Sequence, residues 1–328
     1  MPRAVPRFHD FIGQKEVIEP LVRQVQGAKA RAEPVLHTLI SGPSGVGKTV
    51  LAGAIATETG FTLVEAKQKD LESEEKLTEL LLRLKPCDIL FIDEAHQLSF
   101  PLQELLYKAI DRRLVPNFNP PSDNLSEVVP PEVEINPFTL ILGTDQPEKL
   151  LNALLKRMVN DITLRYYNVA ELRDIVAKIA KDLKLLLTRQ SAGVIARVSA
   201  GLPRAAKHHL QKLRQDSPIS ESQSLGLPEV RRYLAAWHID SLGLEPRDRR
   251  YLEYLRELQV ASLESIALYL GLSSAFVRRY IEPKLVRNGF IIIGRRGRQL
   301  TPKGREWIAK KHKQKKQENS EHGNAQGG

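Results

Sequence analysis

The sequence predicts an α/β fold: a parallel sheet with helices on both faces, followed by a helical segment and a basic C-terminal unit. Strand and helix signals alternate between residues 36 and 143, which is typical of a parallel sheet with crossover helices. From 169 to about 236, apolar residues recur at three- and four-residue spacing, which indicates helices. Residues 278–316 hold fourteen lysines and arginines against two glutamates, which indicates a region that binds polyanions.

These changes of pattern divide the 328 residues into four segments. We predict a large α/β domain over 1–168, a helical lid over 169–243, a winged-helix domain over 244–312 and a disordered tail over 313–328. The chain is long enough for each of the three domains to bury its own core. The tail is polar and highly charged, which is why we expect it not to fold.

The composition excludes two classes of protein. A single cysteine, Cys87, excludes a disulfide framework and indicates a reducing compartment, so we predict a cytoplasmic location. No apolar stretch approaches the roughly 18 residues of a membrane span. We therefore expect no membrane partner.

The elements of the α/β region follow from their periodicity. After a helix at 15–32, strands and helices are predicted in turn at 36–41, 48–59, 61–65, 72–84, 88–92, 100–113 and 138–143. Between Val115 and Pro137 this pattern is broken by prolines at 116, 120, 121, 130, 131 and 137. The interruption fits a hairpin built from 113–118 and 126–135 that projects from the core, and it fits a flexible loop equally well.

Residues Gly42–Thr49 read Gly-Pro-Ser-Gly-Val-Gly-Lys-Thr and fit the phosphate-loop pattern G-x-x-x-x-G-K-[ST]. Its three glycines allow the backbone to curl so that several N–H groups point at one phosphate chain. Lys48 would reach the β- and γ-phosphates, and Thr49 would offer its hydroxyl to Mg²⁺. The predicted strand before the loop and the helix after it, whose dipole faces the phosphates, supply the expected context.

Asp93 and Glu94 follow a five-residue apolar strand, about 40 positions after the phosphate loop. Asp93 would hold Mg²⁺ directly or through its water shell, and Glu94 would polarise the attacking water. Two adjacent acids at a strand end are common when they occur alone. Combined with the phosphate loop, they predict hydrolysis of a nucleoside triphosphate.

Three further positions could complete this site. Thr144 and Asp145 follow the strand at 138–142, and the side chain of either could sense the γ-phosphate. Arg157, with Lys156 as the alternative, could reach a neighbouring subunit's site and stabilise charge in the transition state. Arg204 begins a helix of the lid and could couple the lid angle to the nucleotide.

The C-terminal unit has the pattern of a winged helix. Helices are predicted at roughly 246–257, 262–270 and 273–288, followed by two short strands at 290–293 and 299–301. The turn between the strands, 294–298, reads Gly-Arg-Arg-Gly-Arg. Three short helices followed by a basic hairpin therefore predict a DNA-binding domain, whereas the basic residues from Lys310 onward fit a solubilising surface.

In this order, the segments resemble an AAA+ ATPase, and they are most similar to the RuvB family of bacterial Holliday-junction branch-migration motors. The resemblance runs from about Phe8 to Ala309. It rests on Phe11–Gln14, 42–49, 90–96, 137–141, 143–144, Arg157, 201–204, 240–244, 248–250, 281–283, 289–290, 296–298 and 301–302.

The resemblance implies a role for each matched residue. The candidate catalytic residues are Lys48, Glu94 and Arg157, the last as an arginine finger, and the candidate Mg²⁺ ligands are Thr49 and Asp93. The candidate ATP-binding residues are Phe11 and Ile12 on the adenine side, Gly42, Gly45, Val46, Gly47, Lys48, Thr49 and Val50 in and after the loop, and the two sensors Thr144 and Arg204. The wing residues Arg295, Arg296 and Arg298 are candidate contacts to DNA phosphates.

The implied activity is ATP-driven DNA translocation by a homo-oligomeric ring, expected to be a hexamer, on double-stranded or four-way-junction DNA in recombination and repair. A junction-binding partner protein would dock on the 113–137 segment, near Val128, Val129 and Val133. Two alternatives remain open. The chain could be another AAA+ remodeller that loads a clamp, places a helicase or regulates transposition, or it could be a nucleotide-gated DNA-binding regulator.

The sequence also departs from the family pattern. Leu155 and Lys156 replace an Arg-Asp pair, and Leu202 stands where the family usually has Thr. The segment 64–71 lacks the family's Ser-Gly-Pro, and milder replacements occur at Ser44, Val46 and Ala95. We expect the ATP chemistry to survive these changes, which bear more on the partner and on the junction-specific role.

Overall fold

The structure is a computed structural model that describes residues 7–118, 131–216 and 224–311. It contains two compact units, of which the first ends at Ile175 and also includes Gly201–Arg204. The second comprises Val176–Ala200 and the residues from Ala205 onward. The predicted boundary between lid and winged helix falls inside the second unit and stays a prediction, and the predicted tail lies outside the described residues. None of the described helices combines the length and the apolar character needed to cross a membrane.

Seven strands lie in the described part of the first unit. They are β1 (Thr38–Ser41), β2 (Leu63–Glu65), β3 (Ile89–Ile92), β4 (Leu114–Pro116), β5 (Glu132–Glu134), β6 (Thr139–Thr144) and β7 (Asn160–Thr163). Five of them form a sheet in the order β2-β3-β6-β1-β7, and every neighbouring pair is parallel. The predicted parallel sheet is therefore confirmed. Its carboxyl edge brings the ends of β1, β3 and β6 together.

Helices cover both faces of this sheet. They are α1 (Lys15–Arg31), α2 (Lys48–Thr59), α3 (Glu74–Leu82), α4 (Phe100–Arg112) and α5 (Asn152–Leu155). The chain then continues into α6 (Val169–Asp182). Along β3, Ile89 and Phe91 pack with residues of α1 and α2, whereas Leu90 and Ile92 pack with residues of α3 and α4. This alternation is the period of two that a strand imposes, and it places one apolar layer on each face of the sheet.

The two described ends of the proline-rich interruption pair with each other as the strands of a hairpin. Strands β4 and β5 pair antiparallel, with Val115 opposite Val133. The hairpin interpretation is confirmed for these residues, and the flexible-loop alternative is wrong for them. Residues 119–130, including Val128 and Val129, lie outside the described residues.

The rest of the described chain adds helices α7 (Arg189–Val198), α8 (Pro203–Asp216), α9 (Leu227–Ala236), α10 (Pro246–Leu258), α11 (Leu263–Leu270), α12 (Ser274–Phe276) and α13 (Glu282–Arg287). It also adds strands β8 (Leu186–Leu187), β9 (Ser224–Leu225), β10 (Val260–Ala261), β11 (Ile291–Gly294) and β12 (Gly297–Leu300). The predicted run of helices after residue 169 is thus present, with the short parallel pair β8–β9 as an addition.

The C-terminal elements form the predicted winged helix around a core that includes Tyr251, Ile266 and Phe290. Two details differ from the prediction. The helix predicted at 273–288 contains a π-helical turn, Val277–Ile281, between α12 and α13. Strand β12 begins at Gly297, whose added Cβ would lie 2.5 Å from the Ala261 carbonyl oxygen. The turn of the wing is consequently only two residues long, and residue 298 belongs to a strand.

Candidate nucleotide site and DNA-binding wing

The phosphate loop connects β1 to α2 and depends on three glycines. Gly42, Gly45 and Gly47 have φ angles of 137°, 88° and 117°, which L-residues with side chains rarely adopt. An added Cβ at Gly42 would lie 2.4 Å from the carbonyl oxygen of Leu164. Glycine is therefore required here both for backbone conformation and for space.

Lys48, the first residue of α2, is buried, with 5% of its surface exposed. Its Nζ donates to the carbonyl oxygens of Gly42 (2.8 Å) and Pro43 (3.3 Å), so the side chain folds back over the loop. Burial lowers the pKa of Lys48, and the carboxylates of Asp145 and Asp93 oppose that shift. The ammonium thus lies in the field of the acids at the edge of the sheet, with only neutral carbonyls as hydrogen-bond acceptors among the described contacts.

Thr49, the second residue of α2, contacts Asp93, which directly follows β3. The Thr49 hydroxyl donates to Asp93 Oδ2 over 3.0 Å, and Asp93 Oδ1 accepts from the backbone N–H of Glu94 at 2.9 Å. A hydroxyl and a carboxylate are hard oxygen donors of the kind that Mg²⁺ prefers. The two predicted metal ligands therefore fit the ion. Gly143 on β6 preserves this arrangement, since a Cβ there would lie 3.1 Å from Asp93 Oδ1.

Glu94 has a left-handed backbone conformation, with a φ of 51°. Non-glycine residues in this region are uncommon, and they are enriched at functional sites. The conformation turns the chain sharply after β3, and the Glu94 carboxylate Oε2 lies 3.6 Å from Nδ1 of His96. The predicted water-activating residue is thus placed beside Asp93 and next to a histidine.

His96 is the residue that the sequence analysis missed. Its side chain is only 6% exposed, and its Nδ1 lies 3.1 Å from Thr144 Oγ1 and 3.5 Å from Asp145 Oδ1. Its Nε2 is 3.2 Å from Nε2 of Gln146. Glu94 and both candidates for the first sensor therefore contact the same imidazole. The spacing Asp-Glu-Ala-His was visible in the sequence, but nothing in it indicated that residues about 50 positions away would converge on this ring.

Thr144 is fully buried at the end of β6, and its Oγ1 also accepts the backbone N–H of Gln146 over 3.0 Å. The Asp145 side chain is 17% exposed. Both residues lie at the carboxyl edge of the sheet, as predicted. Which of them senses the nucleotide stays a prediction.

The segment predicted to lie on the adenine side, Phe11–Gln14, is hydrogen-bonded to the residues that follow β7. The Gln14 amide donates to the carbonyl oxygen of Arg165 over 2.6 Å, and an added Cβ at Gly13 would lie 2.8 Å from the Glu171 carboxyl. Phe11 is half-buried against the same apolar cluster that contains residues of α1 and α2. Leu202, the departure from the family pattern, packs against that cluster too, which gives the leucine a physical reason.

Arg204 lies directly on the phosphate loop. Its guanidinium donates to the Ser44 hydroxyl over 3.0 Å, and its backbone N–H donates to the Gly45 carbonyl over 3.3 Å. An added Cβ at Gly45 would lie 2.8 Å from the Cβ of Arg204. The structure therefore brings the predicted second sensor to the loop. Val46, within the loop, is fully buried, whereas Val50 in α2 is 44% exposed.

Arg157 is placed apart from these residues. Its Nε donates to Asp111 Oδ1 on α4 at 3.0 Å, its Nη1 donates to the Ala153 carbonyl at 2.6 Å, and its guanidinium lies 5.0 Å from the centre of the Tyr107 ring. Hydrogen bonding from Arg157 lowers the pKa of Asp111. The described contacts of Arg157 thus hold it against α4, and its side chain remains 30% exposed. Its role as an arginine finger stays a prediction.

The three arginines of the wing lie in two different environments. Arg295 and Arg296 form the exposed turn, as expected for DNA contacts. Arg298 points to the core, where its Nε donates to Glu282 Oε1 at 2.7 Å, and its side chain is 12% exposed. The same carboxylate oxygen accepts from the buried Tyr251 hydroxyl at 3.0 Å. Arg298 therefore anchors the wing to α13, and its contact with DNA stays a prediction.

Comparisons with known proteins agree with this geometry. A family model described as the Holliday junction DNA helicase RuvB P-loop domain matches residues 4–164. A second, described as the RuvB C-terminal winged helix domain, matches residues 241–309. The two matches correspond to the sheet with its phosphate loop and to the three helices with the wing.

Relatives match over nearly the whole chain. The Holliday junction branch migration complex subunit RuvB of Flavobacterium psychrophilum is 33% identical over 92% of this chain and 89% of its own length. The protein of the same name from Synechococcus sp. is 33% identical over 91% and 87%. Among solved structures, the RuvB Holliday junction branch migration motor of Thermotoga maritima has a TM-score of 0.79 at 29% identity, covering 93% of this chain and 98% of its own. The chain therefore belongs to the RuvB family of P-loop ATPases.

Proposed function

We propose that this chain is an ATP-driven DNA translocase that works as a ring on Holliday-junction DNA during recombination and repair. The observation that supports it best is that the phosphate loop and the Asp93–Glu94 pair lie together in a chain that matches both the P-loop and the winged-helix models of the RuvB family. Lys48, Thr49, Asp93 and Glu94 are all present and adjacent at one edge of the sheet. The family matches cover this site and the winged helix separately.

In the proposed reaction, each residue of the site has one task. The Lys48 ammonium, whose hydrogen bonds go to two carbonyl oxygens, exchanges one of them for phosphate oxygens of ATP. Thr49 and Asp93 hold Mg²⁺, which when bound neutralises phosphate charge. The Glu94 carboxylate orients the attacking water and accepts its proton. His96, whose ring lies next to both the Glu94 carboxylate and the Thr144 hydroxyl, orients that carboxylate.

We propose that the site is completed by a neighbouring subunit. Arg157 would leave its contact with Asp111, or share it, to reach the γ-phosphate of the adjacent copy. A cationic finger of this kind contributes roughly 10³–10⁵ to the rate of phosphoryl transfer. A ring, proposed here as a hexamer, provides one such contact for every site.

Arg204 is proposed to couple hydrolysis to movement. It contacts the phosphate loop through Ser44 and Gly45, and it lies in the first turn of α8. Loss of the γ-phosphate would change its contacts and so the position of α8. The helical lid would carry this change to the winged helix.

The wing is proposed to grip DNA through Arg295 and Arg296. Contacts from exposed arginines to phosphates fix position without reading bases, as a translocase requires. Such binding weakens steeply as salt increases, because each phosphate contact releases counterions. The β4–β5 hairpin is proposed as the docking site for a junction-binding protein, with Val133 at its described base.

The test is a comparison of DNA substrates. ATP turnover is measured with a mobile four-way junction, with linear duplex of the same total length and without DNA, and conversion of the junction to duplex products is followed in parallel. We expect turnover to rise most with the junction and conversion to require ATP. Glu94→Gln is the control for contaminating ATPase. Turnover that ignores DNA, or that responds to DNA without junction conversion, would favour another AAA+ remodeller.

A further inference from the structure

The winged-helix region carries a row of rings and guanidinium groups that does not involve the wing. Arg247, Arg250 and Tyr254 lie three and four residues apart on α10 and so share one face of the helix. The Tyr254 ring stacks on the ring of Tyr269 on α11, with centroids 4.2 Å apart and 14° between the planes. The guanidinium of Arg250 lies 5.3 Å from the centre of the Tyr269 ring.

The row continues along the next helix. The guanidinium of Arg247 lies 5.6 Å from the ring centre of Phe276 on α12, and this ring lies 4.9 Å from that of Tyr280. Arg279 lies 6.0 Å from the centre of the Tyr280 ring. Together these side chains form what we call the aromatic stripe: Arg247, Arg250, Tyr254, Tyr269, Phe276, Arg279 and Tyr280.

Two properties set the aromatic stripe apart from an ordinary surface. Tyr269 and Tyr280 are 40% and 56% exposed. Clustered apolar surface of this kind marks binding sites on soluble domains. Tyr280 also lies within the π-helical turn, and such turns occur frequently at functional sites.

The charge of the stripe selects the kind of partner. It contains three arginines, of which Arg247 has an ion pair with Glu245 at 2.8 Å. Exposed rings interleaved with guanidinium groups suit a ligand that alternates flat apolar groups with negative charges. An unpaired DNA strand has this chemistry, because every base has a π face and every link has a phosphate. A duplex hides those faces within its stack.

We propose that the aromatic stripe binds an unpaired DNA strand, with bases stacking on Tyr269 and Tyr280 and phosphates pairing with the arginines. The wing turn, Arg295–Arg296, is a different set of residues and is proposed for duplex. The stripe goes beyond the proposed function, because stacking of this kind needs neither ATP hydrolysis nor branch migration. The two proposals can therefore fail separately.

The experiment measures the affinity of the full chain for a labelled oligothymidylate of about 30 nucleotides and for a duplex of the same length, at one salt concentration without ATP. We expect Tyr280→Ala and Tyr269→Ala each to lower the ratio of oligothymidylate to duplex affinity about tenfold. Tyr280→Phe, which keeps the ring, should retain the ratio. Leu186→Ala removes a 52% exposed apolar side chain outside the stripe and is the matched control for loss of surface.

Two results would overturn the proposal. The first is a ratio that does not change in either alanine variant while the thermal unfolding curve stays as in the wild type. The second is full binding by Tyr280→Leu, which keeps apolar area but has no ring face. Full binding by the leucine variant would assign the stripe to an apolar protein contact instead, and sedimentation of the same variants would reveal a second copy of the chain as that partner.

Discussion

The phosphate-loop site and the winged helix both bury a cation, and the difference between them lies in the partner. Lys48 donates to neutral backbone carbonyls, which phosphate oxygens can replace. Arg298 donates to the carboxylate of Glu282, itself 2% exposed, which nothing from solvent can replace without leaving a buried charge unpaired. A buried cation facing carbonyls thus remains available to a ligand, whereas one facing a buried carboxylate is part of the framework.

The largest effect is expected on the rate of hydrolysis, at Glu94 of the phosphate-loop site. Glu94→Gln removes the proton acceptor for the attacking water, so we expect hydrolysis to fall by roughly 10²–10⁴. Affinity for ATP should change little, because Lys48 and the glycine loop are untouched. Steady-state turnover and equilibrium nucleotide binding measure the two quantities. A rate within tenfold of the wild type would mean that another group activates the water.

At the wing, the comparison predicts opposite results for two neighbouring arginines. Arg298→Ala leaves the Glu282 carboxylate buried without its cation, and we expect a loss of about 3 kcal/mol in the free energy of unfolding. Arg296→Ala removes an exposed side chain and should change stability by no more than about 0.5 kcal/mol. Urea unfolding compares them. Equal effects on stability would remove the distinction between framework and ligand-binding cations.

Each unit also contains a partly buried histidine with a lowered pKa, and the pH dependence of stability extends the comparison to these two residues. Burial lowers the pKa of His37, in the first unit, and of His209, in the second, to about 4. In the unfolded chain each titrates near pH 6.5, so the unfolded state binds more protons between about pH 6.5 and 4. The contribution of each neutral histidine to the free energy of unfolding is therefore fully present above pH 6.5, and it is lost as the pH falls toward 4.

We expect a loss of about 2 kcal/mol per histidine between pH 7 and pH 5. The Nδ1 of His37 accepts the backbone N–H of Leu140 at 2.9 Å, which requires the neutral ring. Urea midpoints of the wild type and of His209→Gln at the two pH values measure the second histidine's share. If the variant kept the full pH dependence, His209 would not be the source.

The smallest of these effects is expected at His96. His96→Asn removes the ring shared by Glu94 and Thr144, so the carboxylate loses its orientation, and we expect turnover to fall about tenfold. Its effect should appear in kcat while KM for ATP stays nearly constant, since the histidine has no described contact with the phosphate loop. A change confined to KM would instead make His96 part of the nucleotide pocket.

The fold was predictable because its signals are local. The alternation of strand and helix signals predicted the sheet. The helix predicted after the phosphate loop, α2, begins and ends at the predicted residues. The wing turn was less well predicted. The sequence shows Arg295, Arg296 and Arg298 as one basic run, and only the start of β12 at Gly297 separates the last of them from the turn.

The parts that could not be predicted depend on contacts between distant residues. Glu282 pairs with Arg298 across 16 positions and His96 meets Thr144 across 48, and neither pairing leaves a periodic pattern in the sequence. The π-helical turn at Val277–Ile281 likewise interrupts a segment whose apolar spacing fits an ordinary α-helix. Motifs identified the reactive groups, whereas the residues that orient or anchor them became visible only in three dimensions.

Each hydrolysis site is proposed to be shared between two copies of the chain, and mixing two inactive variants distinguishes this arrangement from a site within one copy. Glu94→Gln and Arg157→Ala are assayed for junction-stimulated ATP turnover separately and in equal mixture. We expect each variant alone to be inactive and the mixture to recover part of the activity, because some interfaces combine an intact Glu94 with an intact Arg157. Full activity of Arg157→Ala alone, or no recovery in a mixture that sediments as mixed rings, would contradict it.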